Sequence, residues 1–433
     1  MAVLNFILKQ ILGVPYILFA LIALIGYLAL GESKSKAIGG ALKTAVGVLV
    51  MGEGSGLLIR TFGGLLTPLS EKFGMTGILL DTYSTMTQTN AALGEFAAWT
   101  AYTMLGAFLV NLILVALQKY TKAKAVFLTG NVMLVQTAIA TYIVYRFLHT
   151  GMLLTVLIAS VVTALYWVIM SGALIKPVAE LTDGADFTVG HQQMLGSWLA
   201  YKIAPKLGKK SDDIEKFEFP NWLNIFQDNV VASSVVLLFF ITIIMFALGK
   251  EIVTGMAGST NWIIYIVKTG LTMAVALFIL LTGVRMFVSE IMASFQGITN
   301  KVLPGAVVAV DCAAIFSFSP KAVILGFLGG ALGMIIGVVF LIVIGSPMLI
   351  IPGFIPMFFD NATIGIFANN RGGWKAAIIL TVISGIIQVI GSGLAATAMG
   401  VNAWQGSFDW ATIWLGIIYV LKFIGGIFGI VPV

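Results

Sequence analysis

One cysteine and two histidines among 433 residues remove several kinds of chemistry at the outset. Cys312 alone cannot build a disulfide framework or a cysteine-based metal cluster. It lies in an apolar run with no base beside it, so it is not an activated thiol either. Charge is scarce as well: Asp, Glu, Lys and Arg make up 10% of the chain, against about 25% in a soluble globular domain. The net charge of +6 sits in short loops, as expected for cytoplasmic loops of a membrane protein and not for a nucleic-acid surface. Lys9 precedes the first apolar block, but no small-residue cleavage site follows it, so no secretory leader is expected. What the chain has instead is apolar sequence: 59% hydrophobic residues and a mean hydropathy of +1.05. That composition describes an all-α polytopic membrane protein, with length for about ten spans of roughly 20 residues.

Two stretches break the apolar pattern. Lys176–Ala200 (KPVAELTDGADFTVGHQQMLGSWLA) carries a proline, turn-type glycines, three acids and the run Gly190-His191-Gln192-Gln193. Pro347–Trp374 has three prolines close together and then Phe358-Phe359-Asp360-Asn361. In lipid every backbone N–H and C=O needs a partner, so broken helices survive only where protein or a cavity surrounds them. One such segment in each half points to the binding site of a transporter, and both read as re-entrant hairpins. Asp360-Asn361 has the chemistry of an N-cap for a half-helix from Ala362, and Thr188 could cap the segment bearing His191. On a helix Gln193 would point about 100° away from Gln192.

The rest of the chain falls into two halves that meet in the lysine-rich loop before Phe217, giving units 1–218 and 219–433. Each half reads as two spans, an amphipathic piece (Arg60–Phe73; Val288–Leu303), a polar run centred on an acid and a hairpin. The acids are Asp81 and Asp311, and each run follows a span ending in Gly and Arg (Gly56 and Arg60; Gly283 and Arg285). This is the pattern of inverted repeats. An ionisable residue inside a span is by default functional, which singles out Asp311, Asp81 and Glu53, the last within Gly52-Glu53-Gly54-Ser55-Gly56. The residues give no reason to choose between proton linkage and an ion pair for Glu53 and Glu95.

Several uncommon strings occur in one order: Asp81-Thr82-Tyr83, Lys176-Pro177, Thr182-Asp183-Gly184, Gly190–Gln193, PNWLNIF from Pro220 to Phe226, Gly283–Val288, Asp311–Ile315 and IIPGFIPMFFDNATIGIFAN from Ile350 to Asn369. With these the chain resembles, over nearly its whole length, the membrane-embedded IIC subunit of the ascorbate-type sugar phosphotransferase system. The resemblance implies about 10–11 transmembrane helices and an elevator-type homodimer in the bacterial inner membrane. In that arrangement a scaffold of early spans carries a moving core with the two hairpins. It further implies a small sugar substrate and phosphorylation by a separate IIB protein fed by IIA and a general phosphocarrier protein. The longest hydrophilic loop is too short for a IIB-like domain, so a permease subunit is expected, with no catalytic residues, no cofactor and no metal.

The substrate-binding residues expected from these motifs are Ser55, Thr82, Tyr83, Asn131, Val135, Gln136, His191, Gln192, Asp311 and Asn361. Two of them depart from the family pattern. After Leu128-Thr129-Gly130 the family carries His and, four residues on, Gln; this chain has Asn131 and Val135, with Gln136 matching a family Gln. Val for Gln removes an amide donor and acceptor from that helix face, which bears on which sugar fits. The alternative is a proton- or sodium-coupled carrier of a small polyhydroxy solute on the same architecture, using Glu53, Asp81 or Asp311. A channel is disfavoured by the two polar hairpins.

Overall fold

The computed structural model describes residues 14–73, 77–94, 96, 99–217, 229–301 and 303–430. The expected boundary between halves at 218/219, the PNWLNIF string, Glu95 and the N-terminal amphipathic opening lie outside the described residues.

Two helices of 40 residues set the frame: α2 (Lys34–Phe73) and α11 (Trp262–Lys301). At 1.5 Å per residue each is about 60 Å long. The amphipathic pieces expected as separate elements after each span are continuous with these helices, because no residue at Arg60 or Val288 interrupts the backbone hydrogen bonding. Their contact depends on missing side chains. A Cβ added to Gly47 would lie 2.7 Å from the Phe287 nitrogen, and one added to Gly283 would lie 2.4 Å from the Met51 nitrogen. Small residues allow this approach, and van der Waals contact replaces the hydrophobic drive that lipid cannot provide. Helix α1 (Pro15–Leu30) packs against both.

From the frame, each half runs into a short strand and a broken helical stretch. In the first half β1 (Gly77–Leu80) leads through Asp81 into α3 (Thr82–Leu93), followed by α4 (Trp99–Ala116) and β2 (Ala125–Phe127). Then come α5 (Gly130–Leu148), α6 (Met152–Ala173), α7 (Ile175–Leu181), β3 (Phe187–Val189) and α8 (Met194–Ile203). The second half opens with α9 (Asn229–Leu248), α10 (Lys250–Ala257) and α11. Strand β4 (Val307–Val310) then passes through Asp311 into a 3-10 turn, Cys312–Phe318, and α12 (Pro320–Val343). Strand β5 (Leu349–Pro352), a wide turn at Pro356–Asp360, α13 (Asn361–Met399), β6 (Ala403–Trp404) and α14 (Ile413–Ile427) complete it.

The strands pair across the halves. One sheet runs β5-β1-β6 and the other β2-β4-β3, all parallel. Each central strand comes from one half and both of its neighbours from the other. Leu79 sits opposite Ile351 and Ala403, and Ala309 opposite Phe127 and Thr188. This pairing answers the question that broken helices raise in lipid: the freed backbone groups find partners in another broken helix.

Among the described residues seven helices are long and apolar enough to cross a membrane, or eight if α9 and α10, bent by 112°, form one span. The count is lower than the ten or eleven expected, for reasons of length and continuity. Phe19–Leu30 and Ile413–Ile427 are apolar but shorter, and Pro356–Met399 runs as one 44-residue stretch. That stretch turns at Gly373 (φ 70°), where a Cβ would meet the Asp212 and Lys209 carbonyl oxygens at 2.6 and 2.7 Å. The lysine-rich loop therefore presses on the turn, and Glu180 holds the same corner by accepting from Arg371 (3.0 Å) and Tyr201 (2.9 Å).

Candidate substrate-binding site

Parallel strands followed directly by helices place several helix N-termini around one point. Thr82 opens α3, Asn131, Val132 and Val135 lie in the first turns of α5, and His191 and Gln192 precede α8. Asp311 precedes the 3-10 turn and Phe359 lies in the wide turn before α13. With Met51, Leu280, Ile355 and Ser407 these residues line a cavity of about 30 Å³. Of these α-helix N-termini, α3 and α8 are capped by carboxylates, whereas α5 has no side-chain cap and keeps its partial positive charge of roughly half a unit beside the cavity. The cavity is small in this conformation. Met51 and Leu280 are the two lining residues supplied by the long frame helices α2 and α11.

Six of the ten expected residues therefore meet: Thr82, Asn131, Val135, His191, Gln192 and Asp311. Gln136 stands directly behind them. Its Nε2 donates to the His191 carbonyl and to Gln192 Oε1, both at 3.3 Å, while its own oxygen accepts from Trp167 Nε1. Gln405 Nε2 donates to the same Gln192 Oε1 at 2.8 Å. That oxygen is thus taken, and the Gln192 amide hydrogens make no bond among the described residues. Ser55 lies one turn beyond Met51 on α2, and Tyr83 lies in the first turn of α3; their side chains are outside what the structure describes.

Asn361 is not part of the cavity. The backbone is already helical at Asp360 (φ −67°, ψ −54°), so Asp360 makes no side-chain cap and the half-helix does not begin at Ala362. Asn361 instead donates to the Met357 carbonyl (3.0 Å) and Gln388 Oε1 (2.9 Å). Asp360 Oδ2 accepts from the Phe408 N–H (2.7 Å) and from Gln388 (3.0 Å). Ile355 and Phe359 are the residues this segment turns toward the cavity.

The other expected cap is also displaced. Thr188 lies in β3 and donates to the Ser171 carbonyl, so it cannot cap α8. Asp409 does that work from the opposite half. Its carboxylate accepts from the N–H groups of Leu195 (3.0 Å) and Gly196 (3.3 Å) and from the Tyr166 hydroxyl (2.7 Å). Residues 190–193 are not helical, so Gln193 does not point away from its neighbours as a helix would require. It accepts from the Gln192 N–H at 2.8 Å and contacts His191 Nδ1 at 2.7 Å.

Asp81 and Asp311 both act as N-caps, Asp81 accepting from Ser84 N–H (2.7 Å) and Asp311 from Ala313 N–H (3.0 Å). Asp311 keeps Oδ2 for the cavity, 3.9 Å from His191 Nε2. Thr82 Oγ1 and Asn131 Oδ1 are buried without a hydrogen-bond partner. A buried polar atom left so costs about 1–3 kcal/mol, and two of them beside His191 and Asp311 make a site that asks for hydroxyl groups. Phe359, stacked on His191 at 6.1 Å and on Phe316 at 6.0 Å, adds an apolar ring to the cavity lining. His191, Asp311 and Cys312 bring ligating atoms within 4.8 Å of one another, a set that could hold a cation and that a single cysteine in the sequence does not suggest. Glu53 is exposed on α2, and His149 caps α5 and stacks on Tyr145; neither is among the residues that line the cavity.

Four polar contributors were missed by sequence reasoning: Ser407, Gln405, Asp409 and Gln193. The signal was available in WQGSFDW from Trp404 to Trp410, three polar side chains spaced by two among aromatic residues and a glycine. Gln193 was missed because a helix was assumed there.

The chain is similar in sequence to known proteins. The family profile described as "PTS system sugar-specific permease component" (EIIC-GAT) matches residues 10–411. The "Ascorbate-specific PTS system EIIC component" of Mycoplasma pneumoniae is 33% identical over a 445-residue alignment that spans 92% of this chain and 67% of that protein.

Proposed function

The chain belongs to the sugar-specific permease components of the phosphotransferase system, and from that premise we propose that it binds ascorbate or a related small sugar and presents it to a cytosolic phospho-IIB protein. It is a transporter subunit and not an enzyme in its own right. The observation that carries the substrate class is the cavity at the strand-to-helix junctions. Two unsatisfied buried oxygens, a carboxylate oxygen, an imidazole nitrogen and an amide group line it together with the Phe359 ring. A polyhydroxy ligand satisfies all of these, and each hydroxyl left unpaired in such a site would cost about 1–3 kcal/mol.

The architecture supports a moving core. The cavity is built almost entirely from the broken helices, and only Met51 and Leu280 come from the long helices α2 and α11. We assign α1, α2, α9 and α11 to a scaffold that also forms a homodimer, and the two sheets with their broken helices to a core that slides along it. The exchange of strands between halves supports an inverted repeat, with Lys176–Ala200 and Pro347–Gly373 as its re-entrant hairpins. The location is the bacterial inner membrane.

Uptake of radiolabelled ascorbate into vesicles tests the mechanism. With phosphoenolpyruvate and the IIA, IIB and general phosphocarrier proteins supplied, labelled sugar phosphate should accumulate. Uptake that persists without them and follows a proton or sodium gradient would replace this reading with the coupled carrier.

A further inference from the structure

The four residues Gly190–Gln193 hold a second piece of information, which concerns where a proton sits. Gln193 reaches four groups at once. Its Nε2 end lies 3.3 Å from the carbonyl oxygen of Phe359 and 2.8 Å from Thr363 Oγ1. Its Oε1 end lies 2.8 Å from the Gln192 N–H and 2.7 Å from His191 Nδ1. A backbone carbonyl can only accept and a backbone N–H can only donate, so the amide has one workable orientation; turned over, it would face donor with donor and acceptor with acceptor. Thr363 agrees, because its hydroxyl hydrogen is already given to Phe359 (2.6 Å) and its oxygen is left to accept. With Oε1 facing it, His191 Nδ1 must be the donor. In the neutral ring the other nitrogen, Nε2, is then bare.

That bare nitrogen faces Asp311 Oδ2 across 3.9 Å, longer than a hydrogen bond. Asp311 is fixed by its other oxygen on the Ala313 N–H. Two acceptors therefore look at each other across a gap, in a site where both residues are at least nine-tenths buried. A hydroxyl donor fits this gap, as a cation would. We propose that Gln193 is a positioning residue which holds His191 in the Nδ1–H form, so that the His191–Asp311 end of the cavity takes its ligand through a hydroxyl donor and turns an anionic oxygen away. This rests on the sugar-permease reading for the identity of the ligand, but not for the state of the ring. It sharpens the substrate class: a neutral polyol can place a hydroxyl here in either direction along its chain. An acidic sugar such as ascorbate must direct its ionised oxygen to the far side, toward Gln192 and Asn131, and its alcohol groups to Asp311.

The chain has two histidines, so protein labelled with 15N at histidine gives two imidazole systems, and a His149→Gln variant assigns them. Without ligand, wild type should show His191 with a protonated Nδ1 and an unprotonated Nε2. In Gln193→Met the proton should move to Nε2 and be donated to Asp311. In Gln193→Glu, which still offers an oxygen to Nδ1–H, Nδ1 should stay protonated. A purely structural role for Gln193 would leave the ring's protonation pattern the same in all three. In binding measurements, wild type should bind ascorbate about 10-fold or more tighter than an analogue lacking its terminal side-chain hydroxyl, and the difference should shrink in Gln193→Met. A protonated Nε2 in wild type overturns the proposal whatever binds. An Nδ1–H ring with no binding of ascorbate, pentitols or hexitols would uphold the Gln193 assignment and overturn the sugar reading.

Discussion

The two strand-to-helix junctions, Leu80-Asp81-Thr82 and Val310-Asp311-Cys312, are built alike and used differently. Each follows the central strand of a three-stranded sheet whose other strands come from the opposite half, and each has its aspartate as N-cap. At the first, a 12-residue helix follows, and Thr82 rather than Asp81 lines the cavity. At the second, a seven-residue 3-10 turn follows, and Asp311 itself lines the cavity with His191 opposite. The tighter turn is the difference that matters. An aspartate that caps with one oxygen can hold the other toward a ligand if the chain after it does not fold over it. Two halves of similar build thus bring different groups to the cavity, a threonine side chain from one and an aspartate carboxyl oxygen from the other.

The comparison can be broken most forcefully through the contacts that cross between halves. Asp409→Ala leaves the Leu195 and Gly196 N–H groups and the Tyr166 hydroxyl without their acceptor. At about 1–3 kcal/mol for each buried donor left unpaired, several kcal/mol of stability should be lost, seen as a large drop in thermal midpoint in detergent. A drop no larger than that of a surface substitution would mean the halves are not held this way. Next, the first-half wall can be moved toward the family pattern. Asn131→His with Val135→Gln adds polar groups beside Thr82, and ascorbate affinity should rise about 10-fold, the worth of one hydrogen bond of roughly 1.4 kcal/mol. Smaller still is Asn361→Ala. It removes two buried hydrogen bonds and should lower stability by about 1–2 kcal/mol while changing sugar affinity less than about threefold; a larger affinity loss would return Asn361 to the site.

The smallest effect concerns the loop that follows the first-half core. Glu215 lies partly buried against α12, where it accepts from Ser319 Oγ (3.0 Å) and the Ala322 N–H (2.9 Å). Burial pushes its carboxyl above the usual value of 4.5, and the nearby Asp213 adds to this against the opposing hydrogen bonds. A carboxyl raised in the folded state binds its proton more tightly there than when unfolded, so its contribution is full below pH 4.5 and declines as pH rises through the folded value. Glu215→Gln should flatten that decline and slightly raise the melting temperature at neutral pH. Melting curves across pH 4–8 would show it, and parallel curves for both proteins would contradict it.

Much of this was legible in the sequence, and the reason is chemical. Polar residues are costly in apolar spans, so Asp311, His191, Gln192 and Thr82 stood out against their surroundings, and the broken segments stood out by proline and glycine. What the sequence could not convey was which broken segment partners which. Asp360-Asn361 reads in sequence as a helix cap with Asn361 as a site residue, yet the two bond to Gln388 and Phe408, far along the chain. Asp409 carries no sign of its role in its own neighbourhood, since it caps a helix that begins at Met194. Strands of two to four residues carry almost no periodic signal, so the two sheets that set all these distances were invisible until the halves were brought together.

The most direct test sets the two aspartates side by side. Purified wild type, Asp311→Asn and Asp81→Asn are titrated with ascorbate by calorimetry, with the melting temperature of each recorded. The account predicts that Asp311→Asn weakens binding about 10- to 100-fold, the loss of a hydrogen bond to a charged group of roughly 1.5–3 kcal/mol, while Asp81→Asn binds within about threefold of wild type. Equal affinities for all three, or a greater loss at Asp81 than at Asp311, would contradict it.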